Sequence, residues 1–468
     1  MLSHYKEKIT PVVTSLILIL LLLLYKFNNS KLIIASAVII FLIIYIKNPK
    51  NNLHLNRSDI LINFLLLGFS TSYNIISWIN GYIELERAIL GILSIQIFYL
   101  LGHYSFHIFK QKGNELRIIM PVIFIALGFS VCLFSFTLME SIETKSFFIS
   151  SRTVSGVFAT VVAIYSSMGI ALLPLGVKLL QFPNKTKLNI LLILTIFFMV
   201  TTGLTTSIML SNRSTFSIFP IIICLLLFYN LYLNYKKNGI SWIKYILPIS
   251  ILFITAYLVF QTNLSFLDQF EIPILKRFAK NDLGEVRLNL WWMGIKHLST
   301  NFWGGKTYPL IIPNQGINPL DPLAFLTANE NFWQRFLYFT KPNQGINPFA
   351  FLTPNENFYQ MIYYVPKTYR FPFIHNLWLD VHYEAGMLPF CFIITFHLAH
   401  IKSLLSLILN TKRQIIAITV LGIVTVTFFY FMIEPAITAS YNFFMASLFS
   451  LAYFRQIQTN SINHNFKI

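Results

Sequence analysis

The chain has few charged residues, few acidic residues in particular, and almost no cysteine. Charged residues make up 11% of its 468 residues and hydrophobic residues 56%. A soluble domain carries roughly 25% charged residues, so this composition excludes a soluble globular protein. The three cysteines, Cys132, Cys224 and Cys391, all lie within apolar runs. A disulfide between exported loops is therefore excluded as well.

What the chain has instead is a succession of apolar runs long enough to cross about 30 Å of hydrocarbon. Backbone in lipid must satisfy its own hydrogen bonds, so these runs are predicted to be helices. The first of them lacks a small-residue cleavage site and is expected to be a retained span rather than a signal peptide. The fold class is an all-α polytopic membrane protein. We predict about twelve transmembrane helices, at residues 10–25, 32–46, 60–79, 88–109, 118–139, 154–176, 189–210, 216–234, 245–261, 387–409, 415–433 and 441–454.

The basic residues indicate the orientation of these spans. Cytoplasmic loops are enriched in Lys and Arg. With the N-terminus inside, nineteen of them fall on the cytoplasmic side and six in the short loops opposite. Both termini are therefore predicted to be cytoplasmic, and the long loop between the ninth and tenth spans is predicted to lie on the outer face. The net charge of +18 is explained by this topology, so no nucleic acid partner is expected.

Three regions follow from this arrangement. Residues 1–260 are predicted to form helices 1–9, and residues 261–386 a large outer loop between helices 9 and 10. Residues 387–468 are predicted to form helices 10–12, with a cytoplasmic tail that is expected to be disordered after the last span. The loop is too long for a simple connection. It contains a near-duplicate, residues 313–334 and 342–360, in which sixteen of nineteen aligned positions agree. A neutral local duplication is favoured over a paired subsite for a repeating ligand.

A histidine stands at the end of that loop, in IHNLWLDVHYEAGMLPF. His375 and Asn376 precede nine residues and then Gly386, where the next apolar helix is predicted to begin. The positive charges of Arg370 and Lys367 favour neutral imidazole, the form that a general base needs. Inside the nine-residue segment, Glu384 could orient His375 only if the segment turns back on itself.

Two arginines complete the candidate site. Arg213 lies in TSIMLSNRSTF, between two spans, where a snorkelling arginine is the plainer interpretation. Arg287 lies in the amphipathic stretch RLNLWWMGIKHLSTNFWGG, where a surface charge is the plainer interpretation. Together, two guanidinium groups can clamp a diphosphate and neutralise it as it leaves, while a histidine accepts a proton from an attacking hydroxyl. No Asp-x-Asp pair of the type that holds Mg²⁺ is present, so no metal and no other cofactor is predicted.

These segments resemble the O-antigen ligase family. HNLWLDVHYEAGMLP is similar to its His-Asn-x9-Gly-x-x-Gly signature, with Pro389 in place of the second glycine. TSIMLSNRSTF resembles its Ser-Arg segment, although Ser214 replaces a glycine. RLNLWWMGIKHLSTNFWGG resembles the segment that opens its periplasmic loop, with Gly304-Gly305 instead of Gly-x-Gly. The likeness covers about residues 150–430.

The resemblance implies an activity and its participants. A preassembled glycan would move from undecaprenyl diphosphate to lipid A–core at the periplasmic face of a bacterial inner membrane, so the large loop would be periplasmic. The configuration at the anomeric carbon would invert, and the lipid bilayer would surround the helices. His375, Arg213 and Arg287 would be catalytic, and the substrate-binding residues would be Asn376, Arg370, Lys367 and Trp291. Three alternatives remain open. They are an O-antigen polymerase, a protein O-glycosyltransferase and, in a different class, a lipid-linked oligosaccharide transporter.

Overall fold

The fold is helical, as the apolar runs predict. A computed structural model describes residues 35, 38–39, 57–80, 83–109, 115–148, 153–154, 157–181, 186–210, 213–238, 290–298, 302, 310–313, 368–371, 374–410, 413–434, 437 and 441–463. Within these residues, six helices are long and apolar enough to cross a membrane. This indicates a membrane protein. The number of twelve spans and the orientation of the termini stay predictions.

The helices and strands follow one another in chain order. The N-terminal part comprises α1 (Arg57–Ile79), α2 (Leu85–Phe109), α3 (Glu115–Glu143), β1 (Thr153–Val154), β2 (Val157–Phe158), α4 (Ala159–Ala171), α5 (Leu173–Leu180), α6 (Lys187–Met209) and α7 (Arg213–Asn238). After them come the helical residues 290–298, here α8, and then β3 (Leu310–Pro313), β4 (Thr368–Phe371), α9 (Leu377–Ala385), α10 (Met387–Asn410), α11 (Gln414–Ile433) and α12 (Tyr441–Asn463). Strand β1 pairs antiparallel with β2, and β3 with β4.

Helices occupy eight of the predicted spans, and a ninth is divided between two helices. The run at 154–176 is not a single helix, because α4 ends at Ala171 and α5 begins at Leu173. Pro174 stands in the first turn of α5, and proline has no N–H to continue the hydrogen-bond ladder of the preceding helix. The spans predicted at 10–25 and 245–261 lie outside the described residues, as does nearly all of 32–46 and of the duplicated loop segment.

The chain divides into two compact units. The first comprises Met1–Ile62, Leu93–Asn281 and Phe396–Ile468, and the second comprises Asn63–Ile92 and Asp282–Thr395. In the first unit, glycines allow α4 to approach its neighbours closely, as small residues do in membrane helices. A Cβ at Gly203 would collide with the Ser166 carbonyl oxygen, and one at Gly422 with that of Ala171.

The expected disordered tail is wrong for most of its length. Helix α12 continues to Asn463, and its last turns belong to the core of the first unit. The Arg455 guanidinium lies 3.0 Å from an Asp59 carboxylate oxygen, and both side chains are buried. The Gln456 amide lies 2.8 Å from His103 Nδ1. These polar partners hold the helix past the point where its apolar sequence ends.

Candidate active site

His375 adopts a backbone conformation that is rare for a residue with a side chain. Its φ is 57°, in the left-handed region, which costs about 1–2 kcal/mol for a residue other than glycine. The residue stands two positions before α9, the helix that fills the nine-residue segment. Strain of this kind persists only where the surroundings hold it, and it is concentrated at functional sites.

Asp380 is one of the groups that hold this turn. Its Oδ1 accepts the backbone N–H of Ile374 at 2.6 Å, and its Oδ2 accepts that of Asn376 at 3.0 Å. The two N–H groups flank His375, and Asp380 itself is buried. One carboxylate in the first turn of α9 therefore fixes the backbone on both sides of the histidine.

Trp291 fixes the carbonyl of the same residue. Its indole Nε1 donates to the His375 carbonyl oxygen at 3.3 Å. Asn376 begins the helix, because its side-chain oxygen accepts the N–H groups of Trp378 and Leu379, each at 3.2 Å. This is the usual role of asparagine at an N-cap. The oxygen of Asn376 thus supports α9, and the His375 carbonyl and the N–H groups of both neighbouring residues are hydrogen-bonded.

Helix α9 rests on α8 through an apolar core. Leu290, Ile374, Leu379 and Tyr383 form this core, with Trp291, Met293 and Leu298 packed against it. Gly294 lets the two helices approach, because a Cβ there would lie 2.9 Å from Ile374 Cδ1. This packing places Trp291 where it can reach His375.

Hydrogen bonds also hold the C-terminal end of α9 in place. The Tyr73 hydroxyl donates to the Glu384 carboxylate, and the Asn80 amide donates to the Glu384 carbonyl at 3.3 Å. Glu384 is therefore hydrogen-bonded to Tyr73 on α1 and to Asn80, which follows that helix. Because the nine-residue segment forms one helix and does not turn back, Glu384 lies at the opposite end of α9 from His375. Gly386, at φ 85°, ends α9. Helix α10 starts at the next residue, as predicted.

Two further histidines, one on α8 and one on α9, contact each other. The rings of His297 and His382 lie 5.6 Å apart between centroids, and His297 also contacts Tyr383. Burial lowers the pKa of His382 to about 4, with a smaller contribution from His297, and burial also lowers the pKa of His297. Both imidazoles are therefore neutral at pH 7, which suits the apolar interface that they fill.

The structure describes five of the seven predicted site residues, and these five lie in three places. It brings together His375, Asn376 and Trp291 in the second unit. Arg213 is the first residue of α7, in the first unit. Arg370 belongs to β4, where it pairs with Ile311, whereas Arg287 and Lys367 lie outside the described residues.

Sequence reasoning missed the role of Asp380. A signal was present, since an asparagine N-cap followed four residues later by an acidic residue marks the first turn of a helix. The residues that the structure describes contain no cluster of three or more His, Cys, Asp or Glu side chains arranged to hold a metal ion. Comparison of the chain with protein-family models found no match, and a search of curated proteins found none either.

Proposed function

We propose that this protein is a membrane-embedded glycosyltransferase that moves a glycan from a lipid diphosphate to a sugar hydroxyl, as an O-antigen ligase does. The observation that carries the proposal is the conformation of His375, a left-handed histidine fixed by Asp380 and Trp291. Its turn lies one short helix before Met387, where an apolar helix long enough to span a membrane begins. A histidine on a fixed backbone there suits a reaction on a lipid-linked donor.

His375 supplies the base in this reaction. Its imidazole accepts the proton of the acceptor hydroxyl as the oxygen attacks the anomeric carbon. The new bond from oxygen to carbon forms on the face opposite to the breaking bond, so the configuration inverts. The glycosyl bond to the diphosphate breaks, and lipid diphosphate leaves. Fixed backbone matters here because general-base catalysis requires the base within hydrogen-bond reach of the proton.

The leaving diphosphate needs positive charge, and we assign that role to Arg213 and Arg287. Guanidinium groups bind phosphate oxygens with two parallel hydrogen bonds and stay charged at every physiological pH. Such groups stabilise the charge that develops on the leaving oxygen, so the reaction needs no metal ion. In this proposal the donor is undecaprenyl-diphosphate-linked glycan and the acceptor is lipid A–core, at the periplasmic face of a bacterial inner membrane.

A lipopolysaccharide gel from cells lacking the protein tests the assignment. Bare core, with polymer remaining on its lipid carrier, is the expected result. Core that carries a single repeat unit would instead identify a polymerase. An unchanged ladder would refute both.

Complementation of the same cells tests His375. The His375→Ala protein is expected to reach the membrane in normal amount and to restore no ladder. His464→Ala serves as the matched control, because His464 lies in none of the segments that resemble the family, and it should restore the full ladder. A full ladder from His375→Ala would refute the mechanism.

A further inference from the structure

The outer face of helix α8 is exposed but carries mostly apolar side chains. Trp292, Ile295 and Lys296 are spaced by three and four residues, which puts them on one side of the helix. Trp292 is 41% exposed and Ile295 48% exposed, and Phe302, shortly after the helix, is 56% exposed. We call these four residues the outer patch.

The opposite side of α8 is already occupied. Leu290 and Gly294 face α9, together with the partly buried Trp291 and Met293. A helix on the surface of a soluble protein has one apolar side and one polar side. This helix is apolar on both, apart from Lys296 and His297. Exposed aromatic and branched residues gathered in this way mark a surface that meets an apolar partner.

The outer patch is continuous with a membrane helix. The Phe302 carbonyl accepts the backbone N–H of Met387 at 2.8 Å, and Met387 is the first residue of α10, which is long and apolar enough to span a membrane. Leu388, one residue further along α10, is 52% exposed. Phe302 therefore lies at the level where α10 enters lipid.

Lys296, the charged residue of the outer patch, also suits the surface of a membrane. Lys296 Nζ lies 5.8 Å from the centre of the Trp292 ring. Tryptophan is enriched where a membrane meets water, because its ring is amphipathic. A lysine stem can follow apolar surface while its ammonium group reaches the phosphates of anionic lipids. Trp292, Ile295 and Phe302 offer the apolar contact, and Lys296 the charged one.

We propose that the outer patch rests on the bilayer surface that α10 enters, with anionic phospholipid head groups against Lys296. The proposal goes beyond the glycosyl transfer suggested above and does not depend on it. Neighbouring tryptophans of one helix then have different tasks. Trp291 holds the His375 carbonyl, and Trp292 contacts lipid. The bilayer itself thereby sets the depth at which the His375 turn is held.

Spin labels on the full-length protein in lipid nanodiscs test this proposal. The three native cysteines are replaced by alanine, and a nitroxide is attached to Ile295→Cys or, in a second protein, to Trp292→Cys. Both positions are exposed, so the label is tolerated. Oxygen concentrates in hydrocarbon, whereas an uncharged hydrophilic nickel chelate stays in water and is not drawn to or repelled by anionic lipid. The ratio of their collision rates therefore reports immersion.

The expected ratio at both positions approaches that of a label at Leu388→Cys, the lipid reference. A ratio equal to that of free label in buffer at both positions would overturn the proposal. The contribution of Lys296 is tested by comparing phosphatidylcholine nanodiscs with discs that also contain phosphatidylglycerol. Anionic lipid should raise the ratio at Ile295→Cys, and Lys296→Gln should abolish that rise. An equal rise in the Lys296→Gln protein would refute the role of the charge.

Discussion

Replacing Asp380 by alanine should disable the His375 turn while leaving the membrane helices in place. The substitution removes both acceptors for the N–H groups of Ile374 and Asn376. Those groups are buried with their residues, so water does not readily replace the lost partner. With the two Asp380 bonds gone and the Trp291 bond to its carbonyl left, His375 is expected to leave its left-handed conformation.

The magnitude follows from two opposing contributions. A hydrogen bond to a charged group contributes about 1.5–3 kcal/mol, so the pair at Asp380 contributes roughly twice that. The left-handed backbone of His375 opposes it by about 1–2 kcal/mol. Once both hydrogen bonds to Asp380 are lost, the backbone strain at His375 and the two N–H groups without an acceptor disfavour the active conformation. A net change of about 3 kcal/mol in the free energy of the left-handed conformation lowers the population of that conformation by about two orders of magnitude.

Glycan transfer to lipid A–core, measured with purified protein in nanodiscs, should therefore fall by about 100-fold in Asp380→Ala. Asp380→Asn keeps one acceptor oxygen and should fall between Asp380→Ala and the wild type. Glu384→Gln is the matched control on the same helix, because its amide oxygen can still accept the Tyr73 hydroxyl. Wild-type transfer by Asp380→Ala, at normal insertion, would refute the reasoning.

Three further predictions concern stability, measured as the melting temperature of the purified protein. His375→Gly should melt above His375→Ala by the equivalent of about 1 kcal/mol, because glycine adopts positive φ freely; equal values would argue against strain at this position. The stability that neutral His382 contributes should be full above pH 6.5, fall as the pH drops towards about 4 and stay constant below that, because the unfolded chain protonates His382 before the folded chain does. The His382→Phe protein should show a flatter profile of melting temperature against pH. An unchanged slope would assign the pH dependence to another group. Gly422→Ala should destabilise the first unit by about 1–3 kcal/mol, since its methyl group collides with the Ala171 carbonyl, whereas a change such as Leu194→Ala at an exposed position of α6 should have little effect.

Periodicity and composition predicted the helical class and the positions of most described helices, since burial in lipid leaves the backbone few other choices. They also predicted that α10 begins directly after Gly386, because an apolar run starts there. They did not predict the break in the helix within residues 154–176, or the helix in the tail. At the first, Pro174 interrupts an apolar run. In the tail, buried polar partners extend a helix beyond its apolar sequence.

Within the candidate site, the sequence by itself determined His375 and Asn376 as neighbours at the end of a long loop, and it indicated the basic residues around them. Only the tertiary structure decided which groups support the histidine. Trp291 is 84 positions away from His375, and no local pattern predicts that α8 brings its indole to that carbonyl. Asp380 and Glu384 look equivalent in sequence. Their bonds separate them, because one side chain reaches the backbone around His375 and the other reaches Tyr73 on α1.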